Sequence, residues 1–221
     1  MVLDRRGVNG ELDWSRCAIG SLSVRAVKGG LTEPNPTDRG RLGSKIHVIR
    51  DRNGLPLSVG ISGANLHDSQ ALIPLMRRIP PVRSRFGRRR PAELHADKGY
   101  DLDHLRGWLR RRQIVRASPA AGWRAPAACR HRWVVERTLS WLNGHRRLHR
   151  RYERKADHFL AFVGIFSALI CYRRTDQDIL GVPPAGWLGS RRLQGWGCCG
   201  RQQTWNRDGS PRSSEARTWG N

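Results

Sequence analysis

Residues 45–61 of the 221-residue chain have the sequence KIHVIRDRNGLPLSVGI, and this stretch decides the class of fold. Two runs with a strand-like composition, Lys45–Asp51 and Leu55–Ile61, flank Arg52-Asn53-Gly54. An Asn-Gly pair between two such runs is the strongest short-range signal of a β-hairpin. The stretch therefore predicts two paired strands, and the alternating segment Ile19–Ala26 adds a third.

The chain after the hairpin alternates between helical and strand-like patterns. Apolar residues at Leu72, Leu75, Met76 and Ile79 recur at helical spacing and stop at Pro80. Further helices are predicted at 102–112, 131–143 and 158–172, and short strands at 93–96 and 114–116. The last helix is apolar nearly all round, which predicts that it is buried. A hairpin followed by alternating helices and strands predicts an α/β fold with a mixed sheet.

The chain carries a large excess of positive charge. It has 41 Lys+Arg against 18 Asp+Glu, a formal net charge of +23, and 37 of the basic residues are arginines. The planar guanidinium of arginine binds phosphate oxygens in pairs, and such an excess favours a polyanionic partner. A GC-rich genome would also inflate the arginine count. We expect nucleic acid as the partner.

Composition excludes several classes of protein. The longest mainly apolar run, residues 159–170, has 12 residues, whereas a membrane span needs about 20. No apolar segment follows Met1 as it would in a secretory signal. The five cysteines lack the spacing of a zinc finger. The expected protein is therefore intracellular, without a membrane partner and without structural zinc.

The chain divides near residue 174. Residues 1–174 carry 35 basic and 14 acidic residues, whereas residues 175–221 carry six and four. After Leu180 the chain has neither a helical nor a strand period, and it mixes glycine with four tryptophans. We predict one domain at 1–174, incomplete in its N-terminal part, and a disordered tail at 175–221. A flexible tail that binds single strands through its tryptophans is the alternative.

Two segments place carboxylates where a mixed sheet presents chemistry: HADKGYD at 95–101 and HRWVVERT at 131–138. Asp97 ends a predicted strand and Glu136 lies on a predicted helix. Carboxylates from separate elements can converge on two Mg²⁺ ions, which activate a nucleophile and stabilise the leaving oxygen of a phosphodiester. Each residue also has a simpler interpretation, Asp97 as a turn residue and Glu136 as the ion-pair partner of Arg132.

Further motifs extend the pattern: ELDWS at 11–15, NPTDRG at 35–40, GSK at 43–45 and N-x-HD at 65–68. Together with the two acidic segments they resemble DDE transposases of bacterial insertion sequences, in the insertion-sequence five family, over about residues 10–174. The resemblance implies a ribonuclease-H-like mixed sheet flanked by helices. It also implies an enzyme that performs metal-dependent phosphodiester cleavage and strand transfer at the ends of an insertion sequence.

The resemblance assigns roles residue by residue. Asp97 matches the second catalytic aspartate of the family and Glu136 its catalytic glutamate. In an intact relative these residues would help to bind two Mg²⁺ or Mn²⁺ ions. The first catalytic aspartate of the family falls at Gly20, which has no side-chain oxygen. Asp13 and Asp51 are the candidate replacements.

This copy departs from the family elsewhere too, with Cys129 where the family has tyrosine and Asn143 where it has lysine. We therefore expect a truncated or degenerate copy with impaired activity. The alternatives are a catalytically dead DNA-binding remnant and a translated relic without function. The expected location is the bacterial cytoplasm, at the nucleoid. The oligomeric state is left open, with a homodimer on DNA as one candidate.

The expected partner is double-stranded DNA, both the ends of the element and the target. Arg132 either contacts phosphate or pairs with Glu136, and both readings stay open. His67-Asp68 is expected to cap a helix rather than bind a metal. The candidate DNA-binding residues are Arg88, Arg89, Arg90, Arg132, Arg137, Arg146, Arg147, Arg150 and Arg151.

Overall fold

A computed structural model describes residues 2–82, 91–117 and 136–180. The arginine-rich loop with Arg88, Arg89 and Arg90 lies outside the described residues, as do Arg132 and residues 181–221 of the predicted tail.

The described part contains five helices, seven strands and three short 3₁₀ turns. The helices are α1 (Val2–Val8), α2 (Leu72–Arg78), α3 (Asp103–Arg111), α4 (136–143) and α5 (Ala156–Leu180). The strands are β1 (Cys17–Ala26), β2 (Glu33–Pro34), β3 (Leu42–Asp51), β4 (Pro56–Gly63), β5 (Glu93–His95), β6 (Val115–Ala117) and β7 (Arg150–Arg151). The 3₁₀ turns are Asp68–Ala71, Lys98–Tyr100 and Arg146–Leu148.

The sheet is mixed, with β1 at its centre. β3 pairs with β1 in the antiparallel sense, and β4 pairs with β3 to close the predicted hairpin. On its other side β1 pairs in parallel with β5, and β5 pairs in parallel with β6. The main order is thus β4-β3-β1-β5-β6. This arrangement confirms the α/β class and the ribonuclease-H-like sheet that the sequence motifs imply.

Two hydrophobic clusters cover the two faces of the sheet. On one face Ile19 of β1 and Leu94 of β5 pack with residues of α2 and α3, among them Leu72 and Leu105. On the other face Val24 of β1 packs with residues of α4 and α5, including Leu142, Phe159 and Val163. Successive side chains of a strand point to opposite faces, so β1 supplies both clusters.

Helix α5 is buried on one side only, which corrects the prediction that it is buried all round. Phe159, Val163 and Ile170 lie in the core, whereas Ile165 and Tyr172 are each 54% exposed. A helix that packs on one sheet turns its far side outward unless a further layer covers it. The described residues contain no such layer. The apolar composition of the helix does not by itself show whether one is present.

By length and composition, the stretch Ala156–Arg173 is apolar enough to cross a membrane, with a mean hydropathy of 1.3. One such helix is weak evidence for a membrane span, because core helices of soluble proteins pass the same test. Helix α5 also continues to Leu180, past the predicted domain end at residue 174.

Candidate active site

The parallel pairing of β1 with β5 brings position 20 to the level of Asp97. Cys17 is opposite Leu94, and Ala18 is opposite His95. If this register is continued two residues past the last pair, Gly20 comes level with Asp97, which lies in the turn that follows β5. Gly20 follows Ile19, so a side chain at position 20 would point to the face covered by α4 and α5. Gly20 therefore lies on the central strand, near the end of β5 from which Asp97 follows.

Asp97 leaves the end of β5 as an exposed residue and begins a 3₁₀ turn. Its backbone is extended, with φ −66° and ψ 165°, and its carboxylate accepts a 2.7 Å hydrogen bond from the backbone N–H of Lys98. Asp97 therefore caps a turn, as its simpler interpretation predicts. The cap uses one carboxylate oxygen and leaves the side chain in contact with solvent. Asp97 can therefore cap the turn and still contribute an oxygen to a metal site.

A second carboxylate near β1 belongs to Asp68, whose role was not foreseen from the sequence. Asp68 accepts a 2.7 Å hydrogen bond from the hydroxyl of Ser21 and forms a 2.9 Å ion pair with the ammonium of Lys45. Burial acts to raise the pKa of Asp68. The hydrogen bonds from Ser21 and Lys45, with the charge of Lys45, outweigh it and lower the pKa below its usual value. Asp68 is therefore ionised and joins β1 and β3 to the start of α2.

The 3₁₀ turns that carry Asp68 and Asp97 pack against each other. The ring of His67 approaches Gly99 so closely that a Cβ built there would lie 3.6 Å from it. Burial raises the pKa of the Tyr100 hydroxyl, and the negative charges of Asp68 and Asp97 raise it further. His67 caps the first turn by accepting from the backbone N–H of Ser69, as the sequence predicts. Asp68 does not share that role, because its side chain turns toward the sheet.

Glu136 lies at the start of the described part of α4, which is fixed to the β3–β4 turn. Arg137 donates a 2.6 Å hydrogen bond to the carbonyl oxygen of Asn53, and the hydroxyl of Thr138 donates a 2.8 Å bond to that of Gly54. Glu136 itself is exposed. The guanidinium of Arg137 also lies over the ring of Trp141, 4.9 Å from its centroid. Arg137 therefore holds α4 in place, a structural role beside the predicted contact with DNA.

Asp13 and Asp51, the candidate replacements for the missing aspartate, both lie at the beginning of β1. Asp51 is 1% exposed and accepts hydrogen bonds from the backbone N–H groups of Leu55 and Asp13. Asp51 pairs with Cys17, three residues from Gly20 along β1, a separation of about 10 Å at the usual rise per residue. At that separation the buried carboxylate of Asp51 does not occupy the place of a side chain at position 20.

The residues present do not fit a complete two-ion centre. Among the parts of the chain that the structure describes, no group of three or more Asp, Glu, His or Cys side chains could hold a metal ion. Magnesium prefers octahedral oxygen ligands, and a pair of ions needs carboxylates from several elements to hold both. Gly20 supplies no side-chain oxygen at the position where the family resemblance implies the first catalytic aspartate.

Three of the predicted DNA-contacting arginines, Arg146, Arg147 and Arg150, are exposed on one short segment before α5. Arg147 pairs with Glu153, whereas no carboxylate among residues 2–82, 91–117 and 136–180 pairs with Arg146 or Arg150. These side chains remain candidates for phosphate contact.

Arg151 is a correction to the predicted DNA surface. It is 0% exposed, and its guanidinium donates to the hydroxyl of Ser44 at 2.8 Å and to the carbonyl oxygen of Glu153 at 3.0 Å. Weaker contacts reach Leu31 and Arg154. β7 pairs with the end of β1, which turns Arg151 inward and leaves Arg150 outside. Arg151 therefore belongs to the core.

The sequence is similar to those of known transposases. A family model for the transposase DDE domain matches residues 21–171. The transposase assigned to insertion sequence element IS402 of Burkholderia cepacia is 44% identical over 157 residues, which are 67% of this chain and 73% of that protein. Among solved structures, the Mos1 transposase paired-end complex with left transposon end aligns with 80% of this chain and 56% of its own, at 12% identity and a TM-score of 0.41. The catalytic core domain of BIV integrase aligns with 59% of this chain and 67% of its own, at 13% identity and a TM-score of 0.33.

Proposed function

This chain belongs to the transposase DDE domain family, and on that premise we propose that it binds double-stranded DNA but lacks the full set of carboxylates needed to cut it. One observation supports the proposal. The register of β1 and β5, continued two residues past its last pair, would bring Gly20 level with Asp97, and glycine has no side-chain oxygen to offer as a ligand there. The DNA bound would be the ends of an insertion sequence, in the cytoplasm of a bacterium.

Two divalent ions, Mg²⁺ or Mn²⁺, supply nucleophile activation and leaving-group stabilisation in a complete centre. In this chain Asp97 and Glu136 are the residues that would contribute ligands. Two carboxylates can bind one hydrated ion weakly, but a second ion lacks the ligand that the central strand would provide. Loss of either ion's contribution raises the barrier by several kcal/mol, on the order of 10³-fold in rate or more. We therefore expect binding without cleavage.

Binding to DNA is supported by charge and by its placement. The formal net charge is +23, and Arg146 and Arg150 are exposed without a carboxylate partner among the described residues. Each phosphate contact releases condensed counterions, so such a surface binds duplex DNA with little dependence on sequence. A homodimer on DNA is compatible with this surface and is part of the proposal only as an outcome to be measured.

The test combines metal binding with strand nicking. The full chain and three variants, Gly20→Asp, Gly20→Asp with Glu136→Gln, and Asp97→Asn, are titrated with Mn²⁺ by calorimetry. The same proteins are then incubated with a labelled duplex that carries the end of the element, with Mn²⁺ present. We expect the unmodified chain to bind the duplex without nicking it, and Gly20→Asp to bind Mn²⁺ more tightly. Glu136→Gln should reverse that gain.

Each outcome is decisive for one part of the proposal. Nicking by the unmodified chain that Asp97→Asn abolishes would show that another acid completes the site. Unchanged Mn²⁺ affinity in Gly20→Asp would show that position 20 is not where the missing ligand belongs. Failure of every variant to bind the duplex would overturn the DNA-binding function itself.

A further inference from the structure

An exposed tyrosine lies between two arginines on the segment that leads into α5. Tyr152 is 58% exposed. The guanidinium carbons of Arg147 and Arg150 each lie 5.6 Å from the centroid of its ring. Aromatic rings of this size are normally placed where they bury area. Tyr152 instead presents most of its surface to solvent, next to two cations.

The backbone of this segment is fixed by contacts with the core and with a neighbouring carboxylate. Arg151, between Arg150 and Tyr152 in sequence, is fully buried, and its guanidinium bonds Ser44 and backbone oxygens of the neighbouring loops. The backbone N–H of Tyr152 donates a 3.1 Å hydrogen bond to the carboxylate of Glu153, which also pairs with Arg147. The exposed ring therefore projects from a fixed backbone, so little conformational entropy of the protein is lost when a ligand stacks on the ring.

The two arginines do not close off the ring. Where a guanidinium stacks tightly in this protein, as Arg112 does on Trp108, its carbon lies 4.0 Å from the ring centroid. At 5.6 Å the guanidiniums of Arg147 and Arg150 leave space at the ring. No hydrogen bond or ion pair is recorded for the side chain of Arg150 within the described residues. A phosphate would therefore compete only with the contact between Arg150 and the ring of Tyr152.

We propose that Tyr152 is a stacking site for an unpaired nucleobase, with Arg150 contacting a neighbouring phosphate and Arg147, which pairs with Glu153, adding positive charge beside the ring. Stacking on an aromatic side chain inside a positive groove is the usual way in which proteins hold single-stranded nucleic acid. In a duplex the faces of the bases are covered by their neighbours, so the site fits a frayed end or a single-stranded overhang. The inference rests on the proposed binding of DNA and specifies which part of the DNA this surface takes.

The experiment measures the affinity of the full chain for two fluorescent DNAs. One is a blunt duplex, and the other is the same duplex with a short 3′ overhang that carries 2-aminopurine. The variants are Tyr152→Ala, Tyr152→Phe and, as a matched control, Tyr172→Ala. Tyr172 is exposed to 54%, close to the value for Tyr152, and no arginine lies over its ring among the described residues.

We expect Tyr152→Ala to weaken binding to the overhang DNA about tenfold, within the range that alanine substitution gives for a stacked base, while binding to the blunt duplex changes less than twofold. Quenching of 2-aminopurine on binding should be lost in the same variant. Tyr152→Phe should retain both, because the ring stacks without its hydroxyl. Tyr172→Ala should behave as the unmodified chain.

Equal losses for both DNAs in Tyr152→Ala, or equal losses in Tyr152→Ala and Tyr172→Ala, would overturn the inference and leave DNA binding intact. If the unmodified chain binds neither DNA, the proposed function fails and the inference fails with it. Because all variants change exposed side chains, thermal unfolding should show the same transition for each, and a lower transition in Tyr152→Ala alone would assign the tyrosine to stability instead.

Discussion

The hydroxyl of Ser21 and the carboxylate of Asp68 lie 2.7 Å apart in a hydrogen bond that joins the central strand to the start of α2. Lys45 reaches the same carboxylate from β3 and also donates to the carbonyl oxygen of Leu66 at 2.8 Å. Three elements thus meet at one ionised side chain, next to the turn that carries Asp97. This junction joins the central strand and β3 to the turn that packs against the one carrying Asp97.

Asp68→Asn should lower the free energy of unfolding by about 1 kcal/mol at pH 7, because hydrogen bonds to a charged group are lost from a partly exposed site. The pKa of Asp68 is lowered in the folded protein. Its stabilising effect is therefore present above the unfolded value near 4 and disappears as the pH falls through the folded value. Urea unfolding of both proteins between pH 7 and pH 3 measures the difference.

Asp103→Asn is the matched control for that experiment. Asp103 also pairs with an arginine, Arg106, but its side chain is 91% exposed. Exposed pairs of this kind contribute little to stability, so the control should unfold as the unmodified chain does. A stability difference for Asp68→Asn that is as large at pH 3 as at pH 7 would show that the carboxylate charge is not its source.

Arg150→Met and Arg151→Met should affect different properties although the residues are adjacent. The first should weaken DNA binding, and the second should lower folding stability. Arg151 is buried and bonds several oxygens of the core, so its replacement leaves buried acceptors unpaired and should cost about 2 kcal/mol or more of folding stability. Arg150 is exposed, so its replacement should leave the melting temperature unchanged and weaken binding to duplex DNA. Thermal unfolding and fluorescence anisotropy separate the two. A melting temperature that falls equally in both variants would contradict the assignment.

Binding to duplex DNA should weaken steeply with salt. If Arg146, Arg147 and Arg150 each neutralise one phosphate, their contacts alone predict a loss of about 40-fold between ~50 and ~200 mM salt. Changing all three to Gln should reduce the slope of log affinity against log salt by about 2.7. The charge-matched control changes Arg25, Arg52 and Arg106 to Gln. Each of these already pairs with an aspartate, whereas of the first three only Arg147 pairs with a carboxylate, that of Glu153, so the slope should change less in the control. Equal effects from both triple variants would indicate that only net charge matters.

Cys17 and Cys171 should resist alkylation in the folded protein. Both are 1% exposed. Burial raises the pKa of the Cys171 thiol to about 12 and also raises that of Cys17, so neither forms the reactive thiolate at pH 8. Peptide mass spectrometry after treatment with iodoacetamide should show little label on either residue without urea, and full label in urea. Rapid labelling of the folded chain at Cys171 would show that α5 opens locally.

Local sequence predicted the elements that have strong periodicity of their own. The hairpin follows from Asn53-Gly54, where Gly54 adopts a φ of 88° that other residues rarely adopt, and α2 and α3 follow from apolar spacing. Helix α1 and strands β2 and β7 were not predicted. β2 and β7 have two residues each, too few for any period, and they exist only because β3 and β1 offer free edges at those positions.

The candidate site was predictable in its residue types and less so in its contacts. The position of Asp97 at the end of a strand followed from the sequence. The partners of Asp68 did not, because Ser21 and Lys45 lie 47 and 23 positions away and meet it only in the folded sheet. Arg150 and Arg151 are identical in type, and only the pairing of β7 with β1 distinguishes the outer residue from the buried one.

Helix α4 docks on the β3–β4 turn through hydrogen bonds that both end on main-chain oxygens, those of Asn53 and Gly54. Every amino acid carries the same carbonyl group, so the turn can accumulate side-chain substitutions at position 53 without shifting the helix. Insertions and deletions are different, since they would displace the oxygens themselves. Over evolutionary time, the length of this turn should therefore be constrained more strongly than its residue at position 53, and a copy that gains or loses one residue there would carry Glu136 in the wrong place.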